Sequence, residues 1–198
     1  MTKSDKIIKR IFDLSISFLG LLGTFWLILI LVLMASIDTR EWGVFSQIRI
    51  GKHAKPFKIY KIRSMRKIEG ITTTVTASGD PRISPFGALI RRFKLDELPQ
   101  LWNVFIGKMS FVGPRPDVEG YLDELKGEDK VIQMLKPGIT GPASLKFRNE
   151  EELLAAETDP ERYNREVIWP EKVRINRAYL KEYSFWEDIR CILKTIFG

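Results

Sequence analysis

The sequence predicts an α/β chain, mostly helical with a small sheet region, led by a membrane helix. Three stretches carry that reading. Leu14 to Ile37 contains no charged side chain, Lys55 to Met65 alternates apolar with basic residues, and Leu95 to Ile106 repeats apolar residues at three- and four-residue spacing. The first pattern suits lipid, the second a half-buried strand, the third one buried helix face. At 198 residues the chain divides into a membrane segment, 1–40, and one compact domain, 41–198, whose C-terminal helix suits the membrane interface.

As a helix the charge-free stretch is roughly 36 Å long, enough to cover a hydrocarbon core of about 30 Å. It is too long for a cleaved signal peptide, and no small-x-small cleavage site follows it. Apolar residues surround the helix, with Phe25 and Trp26 at its middle, which suits lipid better than a protein core. Lys3, Lys6, Lys9 and Arg10 precede it; Arg40, Arg49, Lys52 and Lys55 follow. Basic flanks favour the cytoplasmic side, so both ends ask for the same face. A re-entrant helix satisfies both, with a weak point at Gly20, Gly23 and Thr24.

Phe45 to Gly51 reads as a strand and turn. In Lys55 to Met65 the apolar Phe57, Ile59 and Ile62 oppose Lys58, Lys61 and Arg63, giving one charged face. That face is either a solvated strand edge or a surface for phosphate groups. Lys67 to Gly79, rich in Thr, Ser and Gly, reads as a functional loop. Ser84-Pro85 begins a helix running through Arg92, with proline at its first turn.

Adjacent residues on a helix point about 100° apart, so Asp96 and Glu97 cannot both belong to the core. They are either surface charges paired with Arg92 or Lys94, or carboxylates in a polar cleft. Beside arginines a carboxylate stays ionised, able to act as nucleophile or metal ligand. Downstream, Pro114 and Pro116 fix Arg115 with little entropy left to lose. The net charge of +7 asks for an anionic partner. Cys191 and His53 are the sole residues of their types, which excludes an intrachain disulfide and a His/Cys zinc site. A metal must take oxygen ligands, which points to Mg²⁺.

Leu-Asp-Glu-Leu-Pro-Gln-Leu-Trp-Asn-Val at 95–104 and Met-Ser-Phe-Val-Gly-Pro-Arg-Pro at 109–116 resemble the bacterial sugar transferase family, the monotopic polyprenyl-phosphate phosphoglycosyl transferases. Further matches are Lys9-Arg10-x-x-Asp13, Phe57-Lys-x-Tyr-Lys-x-Arg-Ser-Met65, and Lys136-Pro-Gly-Ile-Thr-Gly141. The resemblance implies a UDP-sugar donor, a polyprenyl (undecaprenyl) phosphate acceptor, Mg²⁺, and a location at the bacterial cytoplasmic (inner) membrane with the catalytic domain on the cytoplasmic face. It implies catalysis by Asp96 as nucleophile and Glu97 as metal ligand or proton carrier, the two sharing the metal. Lys61, Arg63, Arg91, Arg115 and Arg148 are the implied phosphate- and nucleotide-binding residues. The chain departs from the family in two places. Thr24-Phe25 stands where members break the membrane helix with Ser-Pro, and Pro142-Ala-Ser-Leu-Lys-Phe-Arg148-Asn149 replaces a Trp-Ala-Gln-Val-Asn-Gly-Arg-Asn loop, so substrate choice is expected to differ.

Val118 to Met134 reads as an amphipathic helix and Glu150 to Arg165 as a solvated, charged insertion. Asn176 to Phe197 reads as one amphipathic helix for the core or the membrane surface. Two competing readings follow from charge alone. A non-catalytic basic membrane scaffold needs no acidic pair among arginines, and a nucleic-acid binder has only the +7 in its favour. No nucleic-acid partner is therefore expected, while an oligomer is compatible with every feature.

Overall fold

The computed structural model describes residues 1–68 and 80–197; most of the expected functional loop at 67–79 lies outside them. The described chain is mostly helical with little sheet. Helix α1, Lys3–Thr39, begins with a reciprocal cap between Thr2 and Asp5 and ends at Arg40 in the left-handed region. Strands β1, Val44–Ile50, and β2, Pro56–Ile62, form an antiparallel hairpin. Helices α2, Pro85–Arg92, and α3, Gln100–Phe105, precede β3, Ser110–Val112, which pairs in parallel with β4, Gly138–Thr140. Helices α4, Pro142–Lys146, α5, Glu150–Ala155, α6, Pro160–Tyr163, α7, Trp169–Lys181, and α8, Phe185–Phe197, complete the body.

Helix α1 is continuous, which corrects the expected break at Gly20, Gly23 and Thr24. One glycine costs a helix only about 1 kcal/mol relative to alanine, and no proline is present to remove a hydrogen bond. Thr24 instead donates its hydroxyl to the Gly20 carbonyl at 2.7 Å. Gly20 serves packing: a Cβ there would lie 3.2 Å from Leu101 Cδ1.

The helix is long and apolar enough to cross a membrane, yet it lies along the body. Lys9, Asp13, Ser17, Leu31, Ala35 and Thr39 are buried at helical spacing. Near its start Arg10 donates to the carbonyls of Val104 and Phe105. Near its end Ser36 accepts from the Gly43 amide. Leu31, Val32 and Ala35 join Ile62 and Ile90 in a core cluster. The outward side carries Leu14, Phe18, Leu22, Phe25, Trp26 and Ile37, all exposed.

Three helix expectations need correction. Leu95 to Ile106 is a three-ten turn, Leu95–Glu97, followed by α3. Trp102 and Ile106 are 47% and 44% exposed, so the apolar repeat faces outward as well as inward. The stretch 118–134 is irregular with three-ten segments. Gly120 at φ 93° and Gly127 at φ 57° take left-handed conformations that interrupt an α-helix. The tail is two helices, because the chain turns between α7 and α8 at Glu182–Ser184. On α8 Trp186, Leu193, Ile196 and Phe197 remain exposed.

Candidate active site

The acidic pair is aimed by a short reversal of the chain. Ser84 caps α2, its hydroxyl accepting from the Gly87 amide at 2.8 Å. Helix α2 ends at Arg92, and Lys94 at φ 55° turns the chain into Leu95–Glu97. Leu95 and Leu98 pack against the cluster containing Leu31, Ile62 and Ile90. Of the residues between them, Glu97 lines a cleft and Asp96 is buried beside it.

Strand alternation supplies the partner. Ile62 is buried in the core cluster, so its neighbour Lys61 points the other way, and its ammonium lies 2.9 Å from Glu97 Oε1. A cleft of about 300 Å³ is lined by Arg49, Lys61, Glu97, Gln100, Arg115 and Gly138, among others. Arg115 stands exposed on the Pro114–Pro116 strap, which leaves β3. Close backbone contact holds that strap: the Gly138 amide donates to the Pro114 carbonyl at 2.7 Å. A Cβ on Gly113 would lie 2.3 Å from the Lys136 carbonyl oxygen, so only glycine fits.

The two carboxylates differ. Burial pushes Glu97 upward, but Lys61 and Arg115 overcome it and hold Glu97 down at about 2. Asp96 is 4% exposed, and burial raises its carboxyl above the ordinary range. Lys61 opposes that rise and Glu97 adds to it. No described residue donates a hydrogen bond to the Asp96 carboxylate. The expected pairing with Arg92 or Lys94 does not form, and Asp96 is not held ionised by a contacting arginine.

The structure thus brings Lys61 and Arg115 to Glu97, with Asp96 buried next to it within the field of Lys61. Arg91 also acts on Asp96 through its field, while Arg63 and Arg148 lie elsewhere. Arg63 pairs with Glu41, donates to the Trp42 carbonyl and lies over the Phe45 ring. Arg91 pairs with Glu151 of α5. Arg148 is exposed and donates to the Lys194 carbonyl near the end of α8. Three site residues escaped sequence reasoning: Arg49, Gln100 and Asp117. Asp117 is partly buried, and burial raises it to about 6 against the pull of Lys172, Arg115 and Arg49. Gln100 lies within the 95–104 motif and Asp117 directly follows the Arg115 strap, whereas Arg49 reaches the cleft only through contacts distant in sequence.

Among the described residues no group of three or more His, Cys, Asp or Glu side chains can hold a metal. Asp96 and Glu97 offer two carboxylates, one of them without a hydrogen bond. That suits Mg²⁺, which takes one or two carboxylates and fills its remaining positions with water and substrate phosphate.

Residues 4–198 match the family model described as bacterial sugar transferase. The chain belongs to the bacterial sugar transferase family. It is similar to a UDP-galactose-lipid carrier transferase of Erwinia amylovora, with 34% identity over 98% of this chain and 40% of the relative. It is 35% identical to the exopolysaccharide production protein PSS of Rhizobium leguminosarum bv. phaseoli, over 97% of this chain and 94% of that protein. A UDP-glucose:undecaprenyl-phosphate glucose-1-phosphate transferase of Escherichia coli is 33% identical over 98% of this chain and 40% of its own length. The chain thus spans well under half of some relatives and nearly all of others. As a bacterial sugar transferase it is an enzyme of the transferase class.

Proposed function

We propose that the protein transfers a sugar 1-phosphate from a UDP-sugar to polyprenyl (undecaprenyl) phosphate, through a covalent Asp96 intermediate, and releases UMP. This would be the first membrane step in building a glycoconjugate or polysaccharide. Family membership and the names of the relatives support the reaction class. The observation that carries the residue assignment is the asymmetry of the pair: Lys61 occupies Glu97, while the neighbouring Asp96 carboxylate is desolvated and takes no hydrogen bond.

A desolvated carboxylate without donors is a better nucleophile than a solvated one. In the first step an Asp96 oxygen attacks the phosphorus that bears the sugar, and the phosphoanhydride bond to UMP breaks. UMP leaves with the electron pair. In the second step an oxygen of polyprenyl phosphate attacks the same phosphorus and frees the Asp96 carboxylate. Lys61, Arg115 and Arg49 border the cleft and supply fixed positive charge to the transferring group. Glu97 with Asp96 would hold Mg²⁺, which would supply neutralisation of the diphosphate charge. Arg63 and Arg148 act structurally in this reading.

The membrane reading rests on shape. The exposed apolar side of α1 continues into Leu89, Phe93, Trp102 and Ile106, and α1 touches the body near both ends. Crossing a bilayer would pull one end off. The helix therefore dips into one leaflet without a kink, with the catalytic body on the cytoplasmic face of the inner membrane.

The decisive experiment mixes enzyme, Mg²⁺ and UDP-sugar without acceptor. Up to one equivalent of UMP should appear, with the mass of a sugar phosphate on Asp96, and Asp96→Asn should abolish both. UMP that appears only with polyprenyl phosphate, with no adduct, would establish direct transfer instead. A screen of UDP-sugars in the same assay identifies the sugar.

A further inference from the structure

A second cleft, of about 480 Å³, lies beside the first and is lined by Lys52, Lys55, Lys108 and Lys136. The four ammonium groups come from three separate parts of the chain. Lys52 and Lys55 flank the hairpin turn, where His53 and Ala54 both take left-handed backbone angles, φ 59° and 55°. Such angles cost a residue with a side chain about 1–3 kcal/mol. Lys108 follows α3, and Lys136 precedes β4. Gly107, at φ 79°, lets two cations converge: a Cβ there would meet Arg10 Nη2 at 3.3 Å and Lys136 Nζ at 3.4 Å.

Among the described residues, none of the four lysines forms an ion pair with a carboxylate. Asp13 is the carboxylate acting on Lys136, but it accepts from Ser110 and the Phe111 amide. Burial depresses the Lys136 ammonium, and Arg10 and Lys52 depress it further. Uncompensated like charges crowded around a concave space are stabilised by a bound anion.

The position selects the anion. Arg10 caps α3 through the carbonyls of Val104 and Phe105. The next residue, Ile106, is exposed, as are Trp102, Ile11 and Leu14. Phe18 and Phe105 stack at 6.1 Å on this same side. The basic cleft therefore sits at the rim of the apolar face, at headgroup depth if that face meets lipid. Phe57, Ile59, Val104 and Met109 form a core cluster beneath both clefts, and along β2 Phe57 borders the second while Lys61 borders the first.

We propose that this cleft is a binding site for the phosphate headgroup of an anionic phospholipid, separate from the transfer site. The lipid anchors the α3 end of the body and fixes the depth at which the catalytic cleft meets the bilayer. The proposal rests on the membrane placement of the apolar face and not on the covalent mechanism.

The test uses the full chain in a zwitterionic detergent and reads the thermal midpoint during titration with short-chain phosphatidylglycerol, short-chain phosphatidylcholine or inorganic phosphate. Phosphatidylglycerol should raise the midpoint saturably, and the other two should not. In Lys55→Gln/Lys108→Gln, both exposed positions, the half-saturating concentration should rise about thirtyfold, at roughly 1 kcal/mol per lysine. Lys136→Gln should act in the same direction. A control with equal charge loss elsewhere, Lys126→Gln/Lys130→Gln, should leave the titration unchanged. An equal shift with phosphate would make this a free-phosphate site, and an equal shift with phosphatidylcholine would remove the charge requirement. Either result overturns the proposal, as would unchanged titrations in both cleft variants or equal weakening in the control.

Discussion

The Lys61 ammonium lies 2.9 Å from Glu97 Oε1, and this contact makes the environments of two adjacent carboxylates unlike. Lys61 satisfies Glu97 and acts on Asp96 only through its field. Lys61→Met removes both effects while keeping most of the apolar stem. UMP release should fall at least about a hundredfold, the loss typical of removing one preorganised charge from a transition state. A variant within fivefold of wild type would return Lys61 to a structural role.

The raised Asp96 carboxyl gives a pH dependence. A nucleophile must be deprotonated, and burial lifts the pH at which Asp96 loses its proton. The acid limb of single-turnover UMP release should therefore lie above the ordinary carboxylate range. Lys61 pulls Asp96 down, so the residual activity of Lys61→Met should show that limb displaced to higher pH. A limb moving to lower pH contradicts the assignment. Asp117, raised to about 6, is the competing source, and Asp117→Asn should leave the limb in place.

Arg91 and Glu151 join the end of α2 to α5. The Glu150 to Arg165 insertion is thus not merely solvated, because one of its acids occupies a cation near the acidic pair. Both partners are partly exposed, 24% and 51%, and such pairs contribute about 0–1 kcal/mol to stability. Glu151→Gln should leave the thermal midpoint nearly unchanged. If Arg91 serves the donor's phosphates, the same variant should lower KM for the UDP-sugar severalfold, because an anion no longer competes for the guanidinium. An unchanged KM would confine Arg91 to the α2–α5 contact.

What the sequence made legible follows from local chemistry. The second strand was readable because Phe57 and Ile59 alternate with Lys58. Ile62, however, packs on the opposite face, so Lys61 shares the Phe57 and Ile59 face instead of lying on one charged face with Lys58 and Arg63. The start of α2 was readable because Ser84-Pro85 is a cap followed by a first-turn proline. The acidic pair stood out because arginines flank it and the 95–104 run matches a family motif. The misreadings came from tertiary context. Gly20 looked like a breaker but admits Leu101. Trp102 and Ile106 looked buried because periodicity cannot tell core from an outward apolar face. Arg63 matched the family motif as well as Lys61 did, yet Glu41 lies within its reach. Arg49 carries no local mark; the approach of its guanidinium to the Pro116 carbonyl, at 3.5 Å, brings together residues far apart in sequence.

Lys9 Nζ lies 2.5 Å from Asp188 Oδ2, and the Tyr179 and Tyr183 hydroxyls also donate to Asp188. Asp188 is 1% exposed and Lys9 9%, so the start of α1 is tied to α7 and α8 by a buried charged cluster. Burial, and then the Asp188 charge, raise both tyrosines, which therefore remain donors at any working pH. Removing one member leaves the other charge desolvated, at a cost of about 3–5 kcal/mol. For a chain of this size that is roughly 6–20 °C in the thermal midpoint. Asp188→Ala should show this loss. Lys9→Met/Asp188→Leu should recover much of it, because apolar residues of similar volume often replace a buried pair without penalty. Residual UMP release per folded molecule should stay near wild type in both, since neither residue lines the cleft. A small midpoint change in Asp188→Ala, or a double variant no better than the single, would show that packing alone holds the helix. A loss of turnover in the folded double variant would instead tie the position of α1 to catalysis.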